Sequence, residues 1–228
     1  SFNSTNSEFT GNTIERPTRV GAASLPKGVI LAAGTQSATV SYNKIRNLFG
    51  GAVGTAQGYG IQTTVNPAIG FENRIINNLI YQFASNHQIY GIDINVGGNA
   101  KIYHNTIVFD DLTSTSTQQT YGIFVGASGG ACDIKNNNIY INRGGNGVKQ
   151  CLSFGSTPAC DFNNLINLSP SGTNYIGFVS PTGYTSLAAW KAAFPAYDQN
   201  SKSVDPLFLN PLAGDYTPQN GALNNTAT

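Results

Sequence analysis

The chain has 228 residues, a formal net charge of +1 and 10% charged residues, whereas about a quarter is usual in globular proteins. A coiled coil or helical bundle is excluded because both are rich in Ala, Glu, Lys and Leu, and a hydrophobic content of 40% excludes a disordered chain. Charges of both signs are balanced, and the sequence lacks a run of about 18 apolar residues. It therefore predicts neither a nucleic-acid partner nor membrane insertion.

A six-residue motif recurs along the chain: an apolar residue, two variable residues, Asn, one further residue and Ile. Five copies begin at Phe9, Val40, Ile75, Ile102 and Ile134, and a sixth, one residue shorter, begins at Phe162. The Asn residues of these copies are Asn12, Asn43, Asn78, Asn105, Asn137 and Asn164. A second motif, Tyr-Gly-Ile, recurs every 31 residues at Tyr59, Tyr90 and Tyr121. Two interleaved motifs with one period indicate one structural unit repeated about six times.

Each unit contains short β-branched segments separated by Gly, Asn, Ser and Thr, a pattern typical of strands and turns. A unit of about 30 residues made of strands alone cannot bury its apolar face and must stack on its neighbours. Propeller blades need four strands and about 40–50 residues, and leucine-rich repeats need Leu at fixed positions that this sequence lacks. The sequence therefore predicts an all-β protein, a parallel β-helix of about six coils.

Stacking gives the repeated Asn a structural function. A buried amide offers two donors and two acceptors, so Asn side chains at one position of successive coils can bond one another and the turn backbone as a ladder. The alternative is that Asn is simply a common turn residue, which explains its abundance but not its register.

Side-chain alternation assigns the other positions of the coil to columns. Three columns are predicted to face the core: Ile14, Ile45, Ile80, Ile107, Ile139 and Ile166; Phe9, Val40, Ile75, Ile102, Ile134 and Phe162; and Ile61, Ile92 and Ile123. A fourth inward column holds small groups: Ala38, Asn73, Ala100, Cys132 and Cys160. Cys151 falls in a column of outward glycines. Cys132 and Cys160 are predicted to be buried thiols, with a disulfide between them as the alternative.

The Asn-x-Ile coils of residues 9–180 resemble the right-handed parallel β-helix proteins of the pectate-lyase-like superfamily. This resemblance implies a right-handed parallel solenoid. It leaves function open, because that fold carries lyases, hydrolases, adhesins and structural segments alike.

The repeat stops near residue 180, which divides the chain into coils at 1–180 and a C-terminal cap at 181–228. Within the cap, residues 186–194 predict a short helix that Thr185 or Ser186 caps and Pro195 ends. Its apolar side, with Trp190 at the centre, is expected to cover the last coil. Together with the Asp-Pro-Leu-Phe and Gly-Asp-Tyr motifs that follow, this helix resembles the closing segment of large secreted bacterial β-helix proteins. We therefore expect the chain to be a piece of a longer protein, whose other domains are its partners.

Two groups of side chains are candidates for catalysis. Asp110-Asp111 is the one adjacent acidic pair, and glycoside hydrolysis needs two carboxyl groups; a solvated loop start is the simpler interpretation. Polysaccharide lyase chemistry needs a base and a cation that stabilises an enolate. An outward column is predicted to place such groups together: Thr39, Arg74, Lys101, Asp133 and Asp161. Ordinary cross-strand charge pairing explains the same column.

The remaining polar and aromatic candidates are weaker. Neither His87 nor His104 has metal-ligand spacing to another His or to Cys. Tyr81 and Tyr140 share an outward column with Val108 and either stack on sugar rings or are ordinary strand residues. The sequence therefore assigns no catalytic, cofactor or metal residue, and Ca²⁺ enters only under the lyase alternative.

The function expected from the sequence is that of a non-catalytic, structural or adhesive segment of a large secreted or cell-surface bacterial protein, with polysaccharide or cell-surface glycan as a partner. The alternative is a polysaccharide lyase or glycoside hydrolase acting on an acidic polysaccharide, with its site around Arg74, Lys101 and Asp133 or in residues outside this chain.

Overall fold

The computed structural model describes residues 4–18, 25–50, 57–95, 99–127, 131–155 and 159–223. Within these ranges the chain is an all-β parallel solenoid, as the repeats predict. Its first nine strands are β1 (Glu8–Thr10), β2 (Thr13–Ile14), β3 (Lys27–Leu31), β4 (Thr39–Ser41), β5 (Lys44–Arg46), β6 (Gly58–Thr63), β7 (Asn73–Ile76), β8 (Leu79–Tyr81) and β9 (Ile89–Ile94). The next nine are β10 (Ala100–Tyr103), β11 (Thr106–Phe109), β12 (Thr120–Val125), β13 (Asp133–Lys135), β14 (Asn138–Ile141), β15 (Lys149–Phe154), β16 (Ala159–Asp161), β17 (Asn164–Asn167) and β18 (Asn174–Val179).

Every third strand joins the same sheet. Sheet 1 contains β1, β4, β7, β10, β13 and β16, and sheet 2 contains β2, β5, β8, β11, β14 and β17. Sheet 3 contains β3, β6, β9, β12, β15 and β18, all parallel, and ends in the antiparallel strand β19 (Thr182–Tyr184). Each sequence repeat thus contributes one strand to each sheet, so equivalent side chains lie above one another along the solenoid.

The predicted asparagine ladder occupies the turns between sheets 1 and 2. The Asn12 Nδ2 donates to Asn43 Oδ1 at 3.0 Å, and the same bond links each Asn to its equivalent in the next coil as far as Asn137. Each of these Asn residues also donates its backbone N–H to the next Oδ1, for example from Asn78 to Asn105 at 3.0 Å. The amides therefore satisfy turn groups that a buried corner would otherwise leave unpaired.

The ladder corrects the register predicted for the last repeat. Asn137 donates to Asn163 Oδ1 at 3.1 Å, so Asn163 and not Asn164 is the ladder residue. Counted from Asn163, the last motif has full length, with Cys160 beside Ile134 and Leu165 beside Ile139 in the core. The predicted inward positions of Phe162 and Ile166 are therefore wrong. Phe162 sits in the turn at φ 58°, and Ile166 pairs with Tyr140 in the outward column.

The other predicted inward columns are confirmed. Their apolar members form one continuous core between the sheets or, at Phe9 and Ile14, pack against it, and Asn73 is buried beside them. Cys160 belongs to the column of Ile134 rather than to that of Cys132. The prediction that the glycine column faces outward is also wrong. A Cβ at Gly60 would lie 2.8 Å from Ile80 Cγ2, so this column points into the core, where Cys151 is fully buried. All three cysteines are buried free thiols.

A short helix, α1 (Leu187–Ala193), closes the C-terminal end as predicted, with Ser186 as its N-cap. Trp190 is fully buried, and its ring would collide with any side chain at Gly177, so it closes the core where the last coil ends. Asp198 terminates the ladder, because its Oδ1 accepts the Asn163 Nδ2 at 3.1 Å while its Oδ2 accepts the Trp190 Nε1 at 2.8 Å.

The tail after the helix runs back over sheet 2. Strands β20 (Phe208–Asn210) and β21 (Asp215–Pro218) pair with each other and place two aromatic rings on the sheet. Tyr216 lies 5.1 Å from Tyr81, and Phe208 lies 5.6 Å from Tyr140, between ring centroids. The predicted sugar platform of Tyr81 and Tyr140 is therefore already occupied by the chain itself. No helix in the described part of the chain is long and apolar enough to cross a membrane.

Candidate functional site

The outer face of sheet 3 carries a column of stacked tyrosines. The rings of Tyr59 and Tyr90 lie 4.8 Å apart, and those of Tyr90 and Tyr121 lie 4.6 Å apart, nearly parallel. A glutamine two residues earlier supports each phenol: Tyr59 donates to Gln57, Gln88 donates to Tyr90, and Tyr121 donates to Gln119. The Tyr-Gly-Ile motif is thus part of a longer Gln-x-Tyr-Gly-Ile motif. Sequence reasoning missed the glutamines, although they recur with the same 31-residue spacing.

A second column beside the tyrosines contains the carboxylate of Asp93. Asp93 lies on the outer face of sheet 3, in register with Gln62 and Phe124, yet it is only 2% exposed. Gln62 on the neighbouring strand donates its Nε2 to Asp93 Oδ2 at 2.7 Å. Burial raises the pKa of Asp93 to about 6, since the carboxylate loses its hydration. Asp93 Oδ1 and Gln62 Oε1 have no hydrogen-bond partner within the described ranges.

At strand β15, neither column has an aromatic residue. The tyrosine column continues with Gln150 and the Asp93 column with Ser153. Aromatic pairs flank this gap, Tyr121 and Phe124 on β12, and Tyr175 and Phe178 on β18. These residues line a cavity of about 420 Å³, which we call the slot. It lies where two large side chains are replaced by small or flexible ones.

Gln150 forms the polar floor of the slot. Its side chain is 3% exposed, and its Oε1 has no hydrogen-bond partner in the described part of the chain. A buried acceptor without a donor costs free energy, and a ligand hydroxyl or amide recovers it when the Gln150 side chain turns its Oε1 toward the ligand. No Lys, Arg, Asp or Glu is among the described residues that line the slot. The nearest carboxylate in register is Asp93, the partner of Phe124 on the next strand.

The charged column that the sequence proposed for lyase chemistry is only partly assembled. Arg74, Lys101 and Asp133 are neighbours in register on sheet 1, as predicted. Asp161 does not join them, because it pairs with Lys135 and accepts two hydrogen bonds from Asn200 of the cap.

The carboxylate of this column is occupied by its own neighbours. Tyr103 donates to Asp133 Oδ2 at 2.5 Å, and Lys135 Nζ lies 3.1 Å from its Oδ1. Lys101 is 4.0 Å from Glu72. The arrangement is one of cross-strand pairing on a half-exposed surface.

The remaining candidates serve the structure. Asp111 caps its own turn through Thr113, and Asp110 accepts a hydrogen bond from Tyr216 at 3.2 Å. Asp110 is half-buried rather than solvated as predicted, and this burial raises its pKa. His104 is exposed in the turn before a ladder Asn, whereas His87 is buried and stacks on Phe49 with ring centroids 4.8 Å apart. Within the described residues, no group of three His, Cys, Asp or Glu side chains is arranged to hold a metal ion.

Comparison with known proteins found no match to this chain among family models, curated proteins or solved structures.

Proposed function

We propose that this chain is a rigid, non-catalytic β-solenoid that binds carbohydrate on the outer face of sheet 3, as an adhesive or structural segment of a secreted or cell-surface bacterial protein. The slot is the observation that carries the proposal. Its aromatic walls and amide floor have the composition of a sugar site, in which ring faces pack on C–H surfaces and a few polar groups fix orientation. The resemblance to pectate-lyase-like β-helices, which includes secreted adhesins, supports the cellular context.

Rigidity supports a binding function as well. The walls of the slot stand on neighbouring strands of one sheet, each anchored in the common core. Side chains held this way lose little conformational entropy when a ligand binds, so contacts of modest size give measurable affinity. Tyr121 is further fixed by its stack on Tyr90 and by its hydrogen bond to Gln119.

Isothermal titration calorimetry against a panel of oligosaccharides tests this proposal. We expect Tyr175→Ala to weaken binding by about fivefold, since one aromatic wall contributes roughly 1 kcal/mol. Tyr42→Asn is the matched control, because Tyr42 is also a tyrosine, is exposed, and lies in a turn between sheets 1 and 2. Absence of binding to every glycan of the panel, or equal losses in both variants, would contradict the proposal.

The alternative function is a polysaccharide lyase acting on a uronate polymer at the sheet 1 column. The adjacency of Arg74 and Lys101 favours it, since two cations can neutralise a uronate carboxylate. Incubation with uronate polymers and Ca²⁺ would then yield an unsaturated product, and Lys101→Ala would abolish it. Product formation with that dependence would replace the non-catalytic proposal.

A further inference from the structure

We propose that the slot is a sandwich site for one uncharged pyranose ring, and that it discriminates against uronates. This inference rests on the proposed function and specifies its ligand class. Three features of the described residues carry it: the spacing of the walls, the unpaired acceptor of Gln150, and the distribution of charge around the slot.

The spacing follows from the sheet. Tyr121 and Tyr175 occupy the same column on β12 and β18, with β15 between them. Neighbouring strands are ~4.8 Å apart, so the backbones that carry the two tyrosines are about 10 Å apart. The ring of Tyr175 lies against Gly183 of β19, at the outer edge of the slot. In the intact part of the column, successive tyrosine rings stack at 4.6–4.8 Å. The column therefore has Gln150 in place of one tyrosine ring, and the proposed ligand is a single six-membered ring that packs between Tyr121 and Tyr175.

The polar groups require a ligand with donors at its edge. Among the residues that the structure describes, Gln150 Oε1 is buried without a hydrogen-bond partner, and Ser153 carries a hydroxyl on the same strand. A purely hydrocarbon ring would leave the Gln150 acceptor unsatisfied, at a cost that opposes binding. A pyranose offers C–H groups to the aromatic walls and hydroxyl donors to the floor. The pyranose carries hydroxyl donors around its whole ring, which distinguishes it from a flat aromatic heterocycle.

The charges oppose an acidic ligand. The described lining of the slot includes no cation that could pair with a carboxylate. The cation identified on this face, Lys27, lies on β3 with its Nζ 5.5 Å from the Tyr59 ring centroid, at the opposite end of the tyrosine column. Asp93 lies one strand from Phe124, so an ionised uronate in the slot would meet a like charge in a partly desolvated setting.

The test compares neutral and acidic ligands of equal length in calorimetric titrations of the whole chain. The probes are hexasaccharides of glucose, galactose, mannose and xylose, hexagalacturonate, and adenosine as an aromatic heterocycle. We expect at least one neutral hexasaccharide to bind, and hexagalacturonate to bind at least about tenfold more weakly than it does.

The decisive variant is Gln150→Tyr, which fills the missing layer and continues the stack from Tyr121 to Tyr175. We expect it to abolish neutral-sugar binding while its urea unfolding midpoint stays at or above that of the wild type. Tyr175→Ala, which opens the slot instead, provides a second loss of binding that does not depend on how the new tyrosine packs. Tyr42→Asn remains the control that leaves the slot intact.

The outcomes separate this inference from the proposed function. Tighter binding of hexagalacturonate, undiminished neutral binding by a folded Gln150→Tyr protein, or binding of adenosine instead of sugars would overturn the inference. The first two results would leave carbohydrate binding itself standing. Failure of all the oligosaccharides to bind would overturn both.

Discussion

Replacing the central ladder residue, Asn105→Leu, is expected to cost about 2–6 kcal/mol of unfolding free energy. Asn105 is fully buried and accepts from both the backbone N–H and the Nδ2 of Asn78, each at 3.0 Å. It also donates to Ile75 O at 2.8 Å and to Asn137 Oδ1 at 3.0 Å.

Leucine has a similar size but no polar atoms, so the Asn78 N–H loses its acceptor and Ile75 O loses the donor from the amide. Each buried group left unpaired costs about 1–3 kcal/mol, which gives the range for two groups. Such a loss is a large part of the total stability of a typical domain, about 5–15 kcal/mol.

The assay is urea unfolding followed by far-ultraviolet circular dichroism, with Asn12→Leu as the matched control. Asn12 begins the described ladder and is half exposed, and its Nδ2 bonds to Thr10 O and Asn43 Oδ1. Asn43 Oδ1 keeps the backbone N–H of residue 12 in this variant, so the loss should stay below about 1.5 kcal/mol. Equal losses at both positions, or a loss below 1 kcal/mol at Asn105, would show that the ladder does not stabilise the solenoid as argued.

Three further predictions concern other parts of the fold. Asp93→Asn should remove part of the pH dependence of stability. The folded pKa of Asp93, about 6, lies above the ordinary Asp value of about 3.8, so ionisation of Asp93 lowers the unfolding free energy of the wild type by about 2 kcal/mol between pH 4 and pH 7. Urea titrations at pH 4 and pH 7 should show a loss that is larger by this amount in the wild type than in the variant. Trp190→Ala should lower the unfolding free energy by about 3–5 kcal/mol, measured by urea unfolding, because it empties the closed end of the core and leaves Asp198 without its indole donor. Tyr216→Ala should release the tail from Tyr81, so hydrogen exchange should rise at 208–218 while the strands of sheet 3 keep their protection; a uniform rise across the chain would contradict this local role.

The repeats were enough to predict the solenoid, the ladder and most core columns, because stacking imposes one register on every coil. The register predicted for the last coil is wrong for a physical reason. A motif that ends at Ile166 requires a one-residue deletion, whereas Cys160 and Leu165 fill the same apolar positions without one. The physical requirement is a buried apolar side chain two residues after the Asn, and Leu165 meets it as well as Ile does.

The slot could not be predicted in the same way. The slot exists because Gln150 and Ser153 stand on β15 at positions where both neighbouring strands carry aromatic side chains. A search for conventional acid and base groups does not detect such a gap. The burial of Asp93 could not be predicted from the sequence either, because side-chain alternation assigns a residue to one face of a strand but does not give its solvent exposure.

The polarity of the ladder has a consequence for how such a protein changes length. Each ladder Asn from Asn12 to Asn137 donates its Nδ2 to the ladder Asn of the next coil, toward the C-terminal end, and Asn163 donates to the carboxylate of Asp198. Each interior side-chain amide therefore accepts hydrogen bonds from the coil before it and donates one to the coil after it, whichever coil it belongs to. Duplication or loss of a whole repeat leaves the same Asn–Asn hydrogen bonds between neighbouring coils, and the Asp198 carboxylate still accepts from the last Asn. Length is thus a variable that can change by gene duplication within the repeats, while the cap remains unaltered.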